Sequence, residues 1–303
     1  SRGLGDVYKR QNQGTGYSDN IHQEKCMAAN GMGGWSGLCP TQELVDAYEM
    51  ANGSTPIIGY NADGTPIING ASGYSETGFA ATAGKHYPAG VYNMYVGREP
   101  RFYASINFNG QQWRGRQLEF WQGGKDGINV SKVDYCCTGY LLRKTADEGV
   151  DVINGKGGMK EASILFRVGS LYLDYAEALN EAEGPVDDVY KYVDAIRKRA
   201  GLPGLAKGLD KDKMRERIQH ERQIELAFEA GHRYFDCHRW KIAEKTDNGY
   251  MHGMNITATN KVDYSKRSTV GDSRVFEKKH YLFPIPQSEM DKRIGLVQSP
   301  YWE

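Results

Sequence analysis

The chain has 303 residues, of which 39% are hydrophobic and 25% charged, the composition of an ordinary globular protein with length for about two domains. Its 38 basic and 38 acidic residues cancel, so no general positive field draws it to nucleic acid or to an anionic membrane surface. No apolar run approaches the roughly 18 residues that cross a bilayer as a helix.

The opening SRGLGDVYKRQ reads as a non-native adaptor sequence. Residues 1–11 are therefore set aside, and the natural chain is expected to begin upstream with its targeting signal. Cys26, Cys39, Cys136, Cys137 and Cys237 contain no CxxC pair and write no zinc framework. Cys26 and Cys39 share a glycine-rich loop and are positioned to pair in an oxidising compartment, with free thiols as the alternative.

Glycine then divides the chain. Of the 37 glycines, 27 precede residue 161. Residues 12–160 are punctuated by GMGGWSG, NADGTP, TAGKHYPAG and WQGGKDG, clusters that mark turns. Between them, TQELVDAYEM predicts a helix capped by Thr41. RFYASINF alternates Phe102, Ala104, Ile106 and Phe108 with polar residues, which predicts an extended segment. Long loops of this kind inside a compact protein carry function.

Residues 161–303 read as helices. Ser163 is placed to cap a helix running to about residue 183, with Val168, Leu171, Tyr172, Tyr175, Ala176 and Leu179 on its apolar face. A second helix opens after Gly184 and Pro185, carries Val186, Val189, Val193 and Ile196 inward, and stops at Gly201 and Pro203. The pair is a helical hairpin similar to a tetratricopeptide unit. A third helix is expected from about residue 210 to 230, burying Met214, Ile218, Ile224 and Phe228, and a fourth from about 234 to 244. Near the C-terminus, Ser288 is placed to cap a short helix.

Seven stretches occur in an order that resembles the SusD/RagB family: PTQELVDAYE, REPRFYASINFNG, TGYLLRK, FRVGSLYLDYAEALNEA, IRKRAGLPGL, RIQHERQIELAFEAGHRYFDCHRWK and YLFPIPQSEMD. The resemblance covers nearly everything after residue 20 and corresponds to the C-terminal half of a family member. It implies a mostly α fold of tetratricopeptide-like hairpins with a long loop-rich ligand-binding section. It also implies a glycan-binding lipoprotein on the outer face of the outer membrane, partnered by a SusC-like TonB-dependent transporter. A protein-interaction scaffold that binds a peptide or another non-sugar ligand is the alternative. Where many members read FDLRRW, this chain reads FDCHRW.

GHRYFDCHRW holds His232, Asp236, Cys237 and His238, the residue types of a metal site. On a helix, His232 and Asp236 share a face and His238 is rotated away, so three ligands do not converge. After His220 and Glu221, Ile224 breaks HExxH. The spacing instead predicts an ion network between Arg222, Glu225 and Glu229 on one helix and Arg233, Asp236, Arg239 and Lys241 on the next, with Tyr234, Phe235 and Trp240 filling the core. No catalytic residue, metal or cofactor is expected. Asp63, Glu76 and Glu119 are the carboxylates available to a glycosidase reading, and no motif singles them out. Aromatic rings in the glycine-rich loops suit stacking on the C–H face of a sugar. Trp35, Tyr74, Tyr87 and Tyr92 are the expected platforms, with Asn61 and Asp63 as polar contacts. In NADGT, Asn61 and Asp63 also read as an ordinary turn.

Overall fold

The structure is a computed structural model that describes residues 8–12, 23–129, 133–156, 162–229 and 231–302. Its described strands pair into two-stranded antiparallel ladders, and no helix among these residues is long and apolar enough to cross a membrane.

In the loop-rich part, helix Gln42–Ala47 follows Thr41, whose hydroxyl makes no capping bond. RFYASINF does not run extended throughout. Pro100 occupies the first helical turn, where its fixed φ and missing N–H cost nothing, and Pro100–Ser105 is helical. Ile106–Phe108 then forms a strand antiparallel to Tyr140–Leu142, with Ile106 opposite Leu142 and Phe108 opposite Tyr140. The helix and strand together drive Phe102, Ile106 and Phe108 into one core with Val45, Tyr95, Trp113, Leu118 and Phe120. The Tyr95 and Phe108 ring centroids are 4.4 Å apart, and those of Phe102 and Phe108 are 5.3 Å apart. Such ring pairs add about 0.5–1.5 kcal/mol each beyond burial. All five cysteines are free thiols. The free-thiol alternative therefore holds for Cys26 and Cys39, and the Cys39 sulfur lies 3.6 Å from that of Cys136.

In the second part, Ala162–Arg167 is a strand, paired antiparallel with Tyr8–Asn12, and the long helix begins at Val168. Ser163 therefore lies inside the strand, and Arg167 occupies the N-cap position. The helix Val168–Glu183 buries Gly169, Leu173, Ala176 and Asn180, while Leu171 and Tyr175 are exposed. The inward stripe is rotated from the predicted one because small residues face the neighbouring helix. A Cβ on Gly169 would lie 2.4 Å from Arg167 Nη1 and 3.5 Å from Glu225 Oε1. Tyr172 and Tyr175 instead meet the Tyr192 ring edge-on, with both centroid distances 5.0 Å.

Helix Asp187–Arg199 buries Val189, Val193 and Ile196 as the pattern predicts; Val186 is its exposed N-cap. Helix Lys211–Glu225 is capped by Asp210, which accepts from Lys213 N, and buries Met214, Ile218 and Ile224. Phe228 lies beyond its end and is exposed. Helix His232–Arg239 follows Gly231 at φ +72°. It turns Asp236 and Cys237 inward, which leaves Tyr234 and Phe235 on the opposite, exposed side and not in the core. Gln287–Met290 is helical after Pro286, so Ser288 lies inside that turn and does not cap it.

Buried charges tie the two parts together. Arg101 of the loop-rich part bonds Glu99 at 2.7 Å, and Glu221 and Glu225 of the third helix at 2.6 and 3.1 Å. Arg197 spans Glu49 and Glu221 at 2.9 and 3.1 Å, and Lys144 reaches Glu229 at 2.5 Å. Arg167 takes Glu225 and Glu229, both at 2.7 Å. The network around GHRYFDCHRW is a separate branch. There Arg222 donates to Asp236 at 2.9 Å and also pairs with Asp174, Arg239 Nε donates to Asp236 Oδ1 at 2.9 Å, and Trp240 Nε1 donates to Glu177 at 2.7 Å. Arg222 and Glu229 thus belong to different branches. Burial alone would raise the Glu225 carboxyl, but Arg199, Arg167, Arg101 and Lys144 outweigh it and hold it at about 2.

Candidate functional site

An open cleft of about 600 Å³ lies at the tip of the loop between residues 80 and 91. The loop is held at its base: Phe79 bridges to Tyr92, Ala80 N donates to Val91 O at 2.8 Å, and Val91 is buried. At the tip, Gly84 N donates to Tyr87 O at 2.9 Å. A Cβ on Gly84 would lie 2.4 Å from Tyr87 Cζ, so only glycine lets the Tyr87 ring fold back over the turn.

The floor is Tyr103 on helix Pro100–Ser105. Its hydroxyl donates to Tyr95 O at 2.6 Å and accepts from Arg98 N at 3.1 Å, which fixes the ring. His86 stacks on that ring at 5.1 Å between centroids and 22° between planes, and Tyr87 stacks at 6.1 Å and 26°. Exposed His86 and half-buried Tyr87 thus form a two-ring platform on a rigid base.

Polar groups converge beside it. Gln111 accepts from Phe108 N through Oε1 at 3.2 Å, while its Nε2 is buried and has no hydrogen-bond partner among the described residues. Gln112 is exposed. Arg143 follows strand Tyr140–Leu142. It donates through Nη1 to Tyr103 O at 2.9 Å and holds its guanidinium 4.8 Å over the Trp113 ring. Burial, then the charges of Lys85 and Arg143, push the His86 imidazole below its usual value, so it is neutral near pH 7. The arrangement offers ring faces for an apolar C–H surface and amide, ammonium and guanidinium donors for oxygens.

Of the expected site residues, the structure brings only Tyr87 into this cleft. Tyr92 and Tyr74 lie at a neighbouring ion cluster, in which Arg267 pairs bidentately with Asp46 at 2.7 and 2.9 Å and also with Glu76. Tyr74 donates to Glu76 at 2.6 Å, and Tyr92 donates to Glu76 O. Tyr74 is 7% exposed, with its ring covered by Arg98 at 5.3 Å, so it is a core residue and not an open platform. Trp35 is 38% exposed, lies under Lys25 at 5.3 Å, and does not line the cleft. Asn61 and Asp63 sit at the exposed tip of the hairpin Ile57–Tyr60/Pro66–Ile68. Both are spent on Thr65: Asn61 Nδ2 donates to Thr65 Oγ1 at 2.9 Å, and Asp63 accepts from Thr65 N at 3.0 Å. Asp63, Glu76 and Glu119 are each held by separate partners, Thr65, Arg267 and Lys125 N. Among the described residues no three His, Cys, Asp or Glu side chains group as a metal site.

Sequence reasoning missed Lys85, His86, Tyr103, Gln111 and Arg143. The run GKHYP carried a signal for Lys85 and His86, the two residues before Tyr87, in its own letters. Tyr103, Gln111 and Arg143 arrive from distant segments and left none.

Comparison with known proteins agrees on one family. The SusD family model matches residues 5–302. SusD-like protein P25 of Formosa agariphila is 42% identical over 82 residues, which is 26% of this chain and 15% of that protein. SusD-like protein P2 of the same organism is 29% identical over 154 residues, 47% of this chain and 26% of that protein. The structure of a SusD-like protein of Bacteroides fragilis, BF3747, superimposes with a TM-score of 0.71 at 28% identity and covers 98% of this chain. This chain spans about half of that one, 54%. The chain belongs to the SusD family.

Proposed function

We propose that this chain is the ligand-binding half of a cell-surface glycan-binding protein that performs no chemistry. It captures an oligosaccharide in the His86–Tyr87 cleft and delivers it to a SusC-like TonB-dependent transporter at the outer membrane, where a lipid anchor upstream of the sequence given holds the protein. Tetratricopeptide-like hairpins in residues 161–303 form the scaffold. One observation carries the reading: two stacked rings on a fixed tyrosine, beside a buried amide donor, Gln111 Nε2, without a hydrogen-bond partner among the described residues. A buried donor without a partner costs about 1–3 kcal/mol, and a sugar hydroxyl that accepts from it recovers that cost. Family membership supports the surface and transporter parts of the proposal.

Isothermal titration against a panel of plant, host and microbial oligosaccharides tests it. Tyr87→Ala is expected to weaken binding of any glycan that binds by tenfold or more, about 1.4 kcal/mol. A panel that binds with equal affinity to the wild-type and Tyr87→Ala chains places the site elsewhere. Release of reducing sugar by the purified protein overturns the non-catalytic part.

A further inference from the structure

The cleft differs from the seam between the two parts in the balance of its charges. Buried Arg98 is spent on the carbonyls of Met94, Val45 and Tyr48, and the seam arginines are paired with carboxylates. Arg101 faces Glu99, Glu221 and Glu225, Arg197 faces Glu49 and Glu221, and Arg167 faces Glu225 and Glu229. A second cleft of about 420 Å³ holds Arg114 and Arg116, yet these pair with Glu24 and Asp126, and Glu148 and Asp151 also line it. Among the described residues, the His86–Tyr87 cleft has Lys85 and Arg143 on its walls and no carboxylate. Lys85 has no ion pair among them. The one described carboxylate paired with Arg143 is Glu148, at 4.0 Å and with its side chain 56% exposed, a separation and exposure at which water screens most of the attraction. With a net charge of zero overall, this local excess does not reflect a generally basic surface.

The second feature is Gln111. It is 2% exposed, it lines the same cleft, and its Nε2 has no partner among the described residues. Two uncompensated cations and an unsatisfied N–H donor beside a ring platform match a pyranose that carries negative charge. A neutral sugar would use the rings and the amide but leave both cations unanswered.

We infer that the cleft selects acidic glycans, whose carboxylate or sulfate group binds at Lys85, Arg143 and the Gln111 amide while the sugar ring stacks on His86 and Tyr87. The inference rests on the reading of this cleft as the glycan site. The anion exchanges its water shell for charge-assisted hydrogen bonds, which are shorter and stronger than neutral ones.

Titration of the full chain with three oligosaccharide sets of matched length tests it: oligogalacturonates, sulfated galactans and neutral glucans. The expected result is that at least one acidic set binds tenfold or more tighter than the neutral set, and that this advantage shrinks as salt rises from 50 to 500 mM on account of screening. Which acidic set wins identifies the anion. Lys85→Gln, an exposed change, is expected to reduce acidic binding several-fold more than it reduces neutral binding. Arg143→Gln is expected to do the same more strongly, and its circular dichroism reports whether it folds. Equal affinity for neutral and acidic sets, or no effect of Lys85→Gln on acidic binding, overturns the inference. If Tyr87→Ala still abolishes that charge-blind binding, the glycan reading survives without it. If Tyr87→Ala has no effect, or no set binds, both fall.

Discussion

Arg101 and Arg143 both reach from the loop-rich part, but they stand in opposite surroundings. Arg101 is largely covered at the seam between the two parts, its side chain 13% exposed, among three carboxylates within 3.1 Å. Arg143 is at the cleft with a single carboxylate at 4.0 Å. At the seam, Arg101 Nε and Nη1 are taken by carboxylates, and the guanidinium fork fixes how the loops dock on the third helix. At the cleft, Arg143 is held in place by a backbone carbonyl and an aromatic ring, and its charge stays available. The same residue type is a clamp where it is paired and a receptor where it is not.

The comparison breaks first at Glu225, which accepts from Arg101 and Arg167 and also pairs with Arg199. Glu225→Ala leaves buried cations without a partner and is expected to cost about 3–5 kcal/mol, read as a lowered urea midpoint. Loss of less than about 1 kcal/mol would show that the seam does not hold the halves together. Glycan binding by the folded fraction is expected to be unchanged.

Acid tests the same seam without mutation. The Glu225 carboxyl is held at about 2 against an ordinary 4.5. A depressed carboxylate stabilises the fold fully above the ordinary value and loses that contribution as pH falls toward the folded value. The window is therefore pH 4.5 down to about 2, and the loss is on the order of 3 kcal/mol. Glu229, whose carboxyl burial alone would raise but Lys144 and Arg167 lower, adds in the same direction. Glu99, raised by burial, runs the other way and softens the fall. Stability measured by urea titration at pH 6, 4 and 2.5 checks the sign. A flat profile would mean that the seam carboxylates are not ionised partners.

The seam was partly legible in sequence and the cleft hardly at all. Opposite charges at helical spacing in Arg222, Asp236 and Arg239 predicted a network because both helices are contiguous runs. The partners that matter most at the seam, Arg101 and Lys144, lie 124 and 85 residues from the carboxylates they meet, and no local pattern connects them. Helix faces failed where packing overrode hydrophobicity: Gly169 faces inward for closeness, Leu171 and Tyr175 do not, and Ala176 lies inward as its pattern predicts. Aromatics in loops were visible as a class, yet glycine neighbours did not separate Tyr74, spent on Glu76, from Tyr87, left open over Tyr103. That difference depends on where one hydroxyl finds its acceptor.

Burial, not ion-pair geometry, is what sets the seam apart. Arg215 meets Glu181 through two parallel bonds at 2.6 and 2.7 Å, geometry as good as any at the seam, but both side chains are more than a third exposed. Arg215→Ala is expected to cost under about 1 kcal/mol in the same urea assay. A cost equal to that of Glu225→Ala would move the distinction from burial to bond geometry.

Lys85→Gln has the smallest expected effect on stability, within about 0.5 kcal/mol, because an exposed side chain without an ion pair has nothing in the fold to lose. Its value lies in pairing it with Glu225→Gln. The seam variant is expected to lower the urea midpoint and leave glycan affinity alone. The cleft variant is expected to leave the midpoint alone and change affinity. Each variant removes one formal charge and keeps nearly the same side-chain volume at its site, so size does not explain a crossed outcome. If both variants moved both quantities, the charges at the seam and the cleft would be one coupled system, and the division between clamp and receptor would not hold.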